Sequence, residues 1–208
     1  IAILDFGSQY PQLIARRIRE GRVYCEILPH DISAEDLKSR APSGVILSGG
    51  PESVYGDSVP HPDPDIFEIG LPILGICYGV QLMGHYLEGK VSHGDTREYG
   101  HATIEADPAS ELFAGLPADL TVWMSHGDEL SEAPAGFEVI ARSGNGLIAA
   151  ITSVDKRMYG VQFHPEVVHT PQGAQILQNF LSRICQCTGD WTAQTFIESA
   201  IADIRETV

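Results

Sequence analysis

Apolar residues in the first half of the chain follow two rhythms in turn. Residues 2–6, AILDF, are a short apolar run, and 10–20, YPQLIARRIRE, place Leu13, Ile14 and Ile18 at helical spacing. VYCEILP (23–29) reads as a strand. SAEDLKSR (33–40) reads as a helix, with Ser33 as N-cap and Asp36 at the third helical position, close to a capping box. GVILSGG (44–50) is the next strand, DPDIFEIG (63–70) a short helix or turn, PILGIC (72–77) a strand and GVQLMGHYLEG (79–89) a helix. Near-continuous apolar strands alternating with helices predict a buried, mostly parallel sheet flanked by helices.

The middle of the chain changes character. HATIEA, LTVWMSH, GFEVIARS, GLIAAITS and RMYGVQFH are short strand-like runs separated by Gly and Pro, and some of them should extend the sheet in antiparallel fashion. The end is helical again over 173–186 and 192–208. The expected class is α/β, with one domain over 1–188 and a terminal helix over 189–208.

Composition narrows the options. Of 208 residues 43% are hydrophobic, enough for a sizeable core, and no run of about 18 apolar residues predicts a membrane span. The first residues lack the basic start and long apolar core of a signal peptide. A formal net charge of −15 disfavours nucleic acid and anionic membrane surfaces as partners. The one tight basic cluster, Arg16, Arg17, Arg19 and Arg22, reads as a solvated helix face. Cys25, Cys77, Cys185 and Cys187 form no CxxC pair, and the CxC spacing of the last two suits a disulfide poorly. Reduced thiols in a cytoplasmic protein are expected.

VILSGGPES (45–53) looks like the start of a phosphate loop, and SGGPES superficially resembles the S-G-G-x-D-S loop of ATP pyrophosphatases. Pro51 has no N–H to offer an anion, and Glu52 puts a negative charge where phosphate would sit. The more informative stretch is LGICYGVQLMG (74–84). It holds G-x-C-x-G centred on Cys77 at a strand-to-helix junction, a nucleophile elbow in cysteine form. A helix N-terminus beside the sulfur favours thiolate. His164 follows the apolar run and opens HPE, Pro165 keeps it extended, and Glu166 is expected on the same side of the chain. This supplies a base and its orienting carboxylate. His85, His93 and His101 recur every eight residues but fall on different elements, and H-E-x-x-H is absent. His164, His169 and Glu166 could chelate, yet a triad uses two of them better. No metal site is expected.

GICYGVQ and FHPE resemble the nucleophile and His-Glu motifs of the class I (triad) glutamine amidotransferases. ILDFGSQY, LSGGPESVY, REYGHA, WMSHGD and VQFHPEVVHT extend the resemblance over nearly the whole chain. It implies a flavodoxin-like fold and hydrolysis of L-glutamine to glutamate and ammonia. Cys77 would be the nucleophile, His164 the acid and base, and Glu166 its orienting partner. The amides of Gly50 and Tyr78 would form the oxyanion hole. Gln81, the backbone of Ser125 and His126, and Asp128 would hold the amino-acid end of glutamine. Glycines at 49 and 50 are needed for close approach to substrate, and positive φ is expected at the turn.

The resemblance also implies an ATP-pyrophosphatase synthetase module as partner, in cis or as a separate polypeptide, and a homodimeric full enzyme. No cofactor is expected in this domain; ATP and Mg would belong to the synthetase module. Residues 93–102 are a candidate face for docking it.

Overall fold

The computed structural model describes residues 1–50, 53–56, 59–192, 194, 197 and 201, with the backbone only at 94–98. One nine-stranded sheet runs through the molecule in the order β2-β1-β3-β4-β9-β8-β7-β5-β6. Its parallel half joins β1 (Ala2–Asp5), β2 (Glu26–Pro29), β3 (Val45–Leu47) and β4 (Ile73–Ile76). β9 (Met158–Val161) lies parallel to β4 and antiparallel to β8 (Ile148–Ser153), so it is the seam between the two halves. β7 (Glu138–Ser143), β5 (Lys90–Ala106) and β6 (Asp119–Glu132) complete the antiparallel extension. The mixed sheet expected from the sequence is present.

Both faces of the parallel half are buried, which explains its unbroken apolar runs. Alternate side chains point to opposite faces. Ile3, Ile46, Leu74 and Ile76 belong to one core cluster with Ile14, Ile18 and Phe180. Ala2, Leu4, Val45, Leu47 and Ile73 belong to the other, with Leu37, Tyr78 and Leu82. Helices α1 (Pro11–Glu20) and α4 (Gly173–Asn179) therefore cover one face, and α2 (Ala34–Ser39) and α3 (Tyr78–Tyr86) the other. Each fully buried Leu or Ile contributes roughly 1.5–3 kcal/mol to this arrangement. Ser33 caps α2 as expected, its Oγ accepting the Asp36 N–H at 3.0 Å.

Several expectations need correction. The strand expected over 23–29 is confined to Glu26–Pro29. Arg22 at φ 59° turns the chain, and Val23 returns its N–H to Ile18 O at the end of α1. The strand expected over 44–50 stops at Leu47. Ser48 then uses its hydroxyl to accept from Phe6 N–H, and the glycines that follow leave the sheet. The hairpin strands are much longer than their apolar cores: β5 starts at Lys90 instead of His101, and β6 continues through Asp128 to Glu132. Charged residues and glycines hide these extensions, which are held by cross-strand pairing with a bulge between His93 and Glu98. The helix expected over 173–186 is α4 followed by a π-helical turn, Phe180–Ile184. The helix expected over 192–208 falls mostly outside the described residues. The arginine cluster is less solvated than expected, since Arg17 donates from Nε to Glu166 O at 3.0 Å and Arg19 to Cys25 O at 3.2 Å.

Candidate active site

Cys77 sits between β4 and α3 with φ 53° and ψ −104°. A non-glycine residue in such a conformation costs on the order of 1–3 kcal/mol and persists only where its surroundings impose it. Here its N–H donates to Val161 O at 2.8 Å, and its carbonyl accepts from Val80 and Gln81 as helical bonds begin. The flanking glycines allow this turn to close. A Cβ at Gly75 would lie 2.6 Å from the Gly79 carbonyl carbon, and one at Gly79 would lie 2.4 Å from Leu47 O. The elbow read from G-x-C-x-G is thus a tight, glycine-dependent crossing of β4, α3 and β3.

His164 lies just past β9, at the carboxyl edge of the parallel strands. Its N–H donates to Trp123 O at 3.0 Å, tying it to β6. The Thr170 hydroxyl donates to His164 O at 2.7 Å and accepts from Trp123 N–H at 3.0 Å, which closes the clamp. The imidazole Nδ1 bonds Glu166 Oε1 at 2.7 Å, and both side chains are buried. That leaves the other ring nitrogen for the hydrogen bond to Cys77. Burial pulls the imidazole toward its neutral form. The hydrogen bonds to Cys77 and Glu166 outweigh that and hold its pKa well above the ordinary value. Glu166 Oε2 is buried with no hydrogen-bond partner among the described residues.

A cavity of about 680 Å³ opens over this pair. It is lined by Cys77, His164, Gly50, Gln81, Ser125, His126 and Asp128 from the expected set, and by Ser8, Tyr10 and Tyr99 beside them. Glu166 stands behind His164. The Tyr78 side chain points away, its ring 5.8 Å from Phe6 and its hydroxyl donating to Pro60 O at 2.9 Å. Tyr78 opens α3, and amides of a helix's first turn point back past the N-cap. Gln81 is 3% exposed and donates from Nε2 to Asp128 O at 2.7 Å. Ser125 and Asp128 lie within β6. Asp128 Oδ1 meets His93 Nδ1 at 2.8 Å.

Gly50 is crowded by the protein itself: a Cβ there would stand 3.0 Å from the Tyr78 ring and 3.1 Å from Phe6 O. The positive φ expected at this turn is not found at Gly49 or Gly50; the chain leaves β3 in ordinary conformations. No group of three metal-ligating side chains occurs among the described residues. His169 is directed elsewhere, packing 4.4 Å from the Trp123 ring. Two residues to which the sequence assigned no role also stand beside the cysteine and histidine. The Tyr10 ring meets His164 edge-on at 5.3 Å, and Gln162 Nε2 lies 3.8 Å from Cys77 Sγ. Within the candidate docking face, 93–102, Tyr99 is 63% exposed at the cavity rim.

A cysteine on a glycine elbow, a histidine bonded to it and a buried carboxylate behind the histidine define a cysteine-dependent hydrolase or acyl-transfer site on an α/β sheet. Residues 2–184 match the family model for Glutamine amidotransferase class-I, and the chain belongs to that family. It is 52% identical over all its 208 residues to a glutamine-hydrolysing GMP synthase of Caldanaerobacter subterraneus, and 56% identical to that of Staphylococcus carnosus. It spans 41% and 40% of those proteins. Among solved structures, a protein assigned as one component of a GMP synthase from Thermoplasma acidophilum superposes with a TM-score of 0.76 at 30% identity, covering 89% of this chain and 92% of that one. A glutamine amidotransferase from Thermotoga maritima superposes at 0.67 with 18% identity, a likeness of fold alone.

Proposed function

We propose that this chain is the glutaminase part of a GMP synthase. It would release ammonia from L-glutamine for a synthetase part that aminates adenylylated XMP. The observation that carries this reading is the match of the entire chain, at 50–56% identity, to glutamine-hydrolysing GMP synthases. In this reading the Cys77 thiolate attacks the carboxamide carbon. The S–C bond forms, and the carbonyl π pair moves to oxygen, where the amides of Gly50 and Tyr78 receive it. Such donors are worth roughly 3 kcal/mol each in comparable sites. His164 delivers its proton to the leaving nitrogen, the C–N bond breaks, and a glutamyl thioester remains. His164 then takes a proton from water, whose oxygen displaces the sulfur as glutamate. Glu166 holds the imidazole tautomer through both steps, and its buried 2.7 Å contact supports that role.

Gln81 and the backbone of Ser125 and His126 would hold the amino-acid end of glutamine, with Asp128 facing its ammonium. In the structure the Asp128 carboxylate is engaged by His93, which must yield to substrate. This supports a second expectation, that the chain is poorly active until the synthetase part docks near residues 93–102. ATP and Mg would bind that part, the full enzyme would be a homodimer, and its free thiols suit a cytoplasmic protein. The test is ammonia release from glutamine with and without the synthetase part, against Cys77→Ala. A wild-type protein that stays silent with its partner present sinks the reading.

A further inference from the structure

The nucleophile has a neighbour that the triad leaves unexplained. Gln162 is 2% exposed and lies in the bend between β9 and His164. Its Nε2–H donates to Cys77 Sγ at 3.8 Å. Its Oε1 is buried with no hydrogen-bond partner among the described residues. A neutral thiol is a weak acceptor, so beside S–H the burial of this amide is poorly compensated. Beside a thiolate the same N–H makes a charge-assisted bond about twice as strong. The Ser125 carbonyl has the opposite preference: it accepts the S–H at 3.7 Å and repels an anionic sulfur. Gln162 does not line the cavity, so it reaches the sulfur from the protein side and leaves the open side to substrate.

We propose that Gln162 is a positioning residue for the nucleophile: its side-chain amide donates to the Cys77 thiolate from the buried side, fixing the sulfur and favouring its anionic form. This rests on the reading of Cys77 as nucleophile. Gln162 differs from His164 in being a donor that cannot itself titrate. Among the described residues, the ionisable groups facing the site are His164 with Glu166 behind it, His126 and Asp128 from β6, His93 and Tyr99 from β5, Tyr55 and Tyr10. The substitutions below leave all of them in place.

The test uses the full-length protein that carries this chain. Iodoacetamide alkylation of the Cys77 peptide is followed by mass spectrometry across pH, together with ammonia release. Gln162→Met keeps the side chain's length and removes the donor. It should raise the alkylation midpoint by about one pH unit, slow alkylation below that midpoint about tenfold, and lower kcat with little change in KM. Gln162→Glu, which sets a like charge beside the sulfur, should raise the midpoint further. A wild-type midpoint in Gln162→Met overturns the proposal while the nucleophile reading stands. Wild-type protein that alkylates at other cysteines and releases no ammonia overturns both. A measurement on the unsubstituted protein covers variants that fail to fold. The side-chain ¹⁵N resonance of Gln162 should titrate with the Cys77 midpoint, and a flat response across that midpoint overturns the proposal.

Discussion

Replacing Thr170 with valine removes one hydroxyl and keeps the side chain's shape. Thr170 is 3% exposed, and its Oγ1 serves two backbone groups at once, donating to His164 O and accepting from Trp123 N–H. In Thr170→Val both lose that partner. A buried polar group left unsatisfied costs about 1–3 kcal/mol. The carbonyl is fully buried and the amide partly so, which puts the sum at about 2–4 kcal/mol. For a domain of this size each kcal/mol moves the melting temperature by roughly 2–4 °C, so the variant should melt about 5–15 °C lower. Thr170→Ser is the control. It keeps the hydroxyl, gives up one buried methyl, and should lose only about 1 kcal/mol. Circular-dichroism melts of the three proteins rank them as wild type, Ser, Val. If Val melts with or above Ser, the hydroxyl clamp is not what holds the His164 loop. Ammonia release gives the functional counterpart: a slackened His164 should reduce kcat by on the order of tenfold or more.

Three further outcomes follow from the same geometry. Cys77→Ala and Cys77→Gly should both abolish ammonia release, but Gly accepts φ 53° without strain, so Cys77→Gly should be the more stable by about 1 kcal/mol in denaturant melts. Glu166→Gln should lower the raised pKa of His164, whose upward pull comes from Cys77 and then Glu166 against burial. The stability from that raised value is complete below the ordinary 6.5 and fades as pH rises through the folded-state value. The wild type should therefore lose melting temperature on the alkaline side, and Glu166→Gln should lose less. Gly79→Ala sets a methyl 2.4 Å from Leu47 O, so backbone must move. The expected loss is about 1–3 kcal/mol with a sharp fall in activity, and a variant that melts and turns over like wild type refutes the close-crossing account of the elbow.

What could be read from the residues divides along a physical line. Where local pattern and burial coincide, the chain announces itself: Ile3, Ile46 and Leu74 alternate with neighbours buried on the opposite face, and the G-x-C-x-G turn requires its glycines sterically. Where structure depends on partners distant in sequence, it does not. Lys90 to Gly100 forms a strand only because β6 lies alongside, and its charges and glycines mask the period. The run LTVWMSH announces β6 only as far as His126, and Gly127 and Asp128 hide its continuation for the same reason. Gln162 and Tyr10 lie inside runs that carry the family resemblance but draw no role from them, because what places them at the site is the packing of β9 and α1 around the elbow. The shift of Ser48–Gly50 out of β3 rests on one hydroxyl bonding Phe6 N–H, a contact across 42 residues. Glycine at 50 is required by proximity to Tyr78, and a spacing rule cannot distinguish that from a need for positive φ.

The seam strand also has a consequence for synthesis. β9 is the last strand to be made, yet it sits at the centre of the sheet, between β4 and β8. Until it emerges, the two half-sheets have no common strand and each keeps an open edge, a template for wrong pairing. Cys77 and Gln162 are 85 residues apart. At roughly 5–20 residues per second the ribosome needs roughly 4–17 seconds to cover that span. For that interval the elbow cysteine exists without its histidine. A ribosome-bound chain halted before β9 should therefore expose two unsatisfied strand edges and a thiol with no base, and a single strand addition closes both at once.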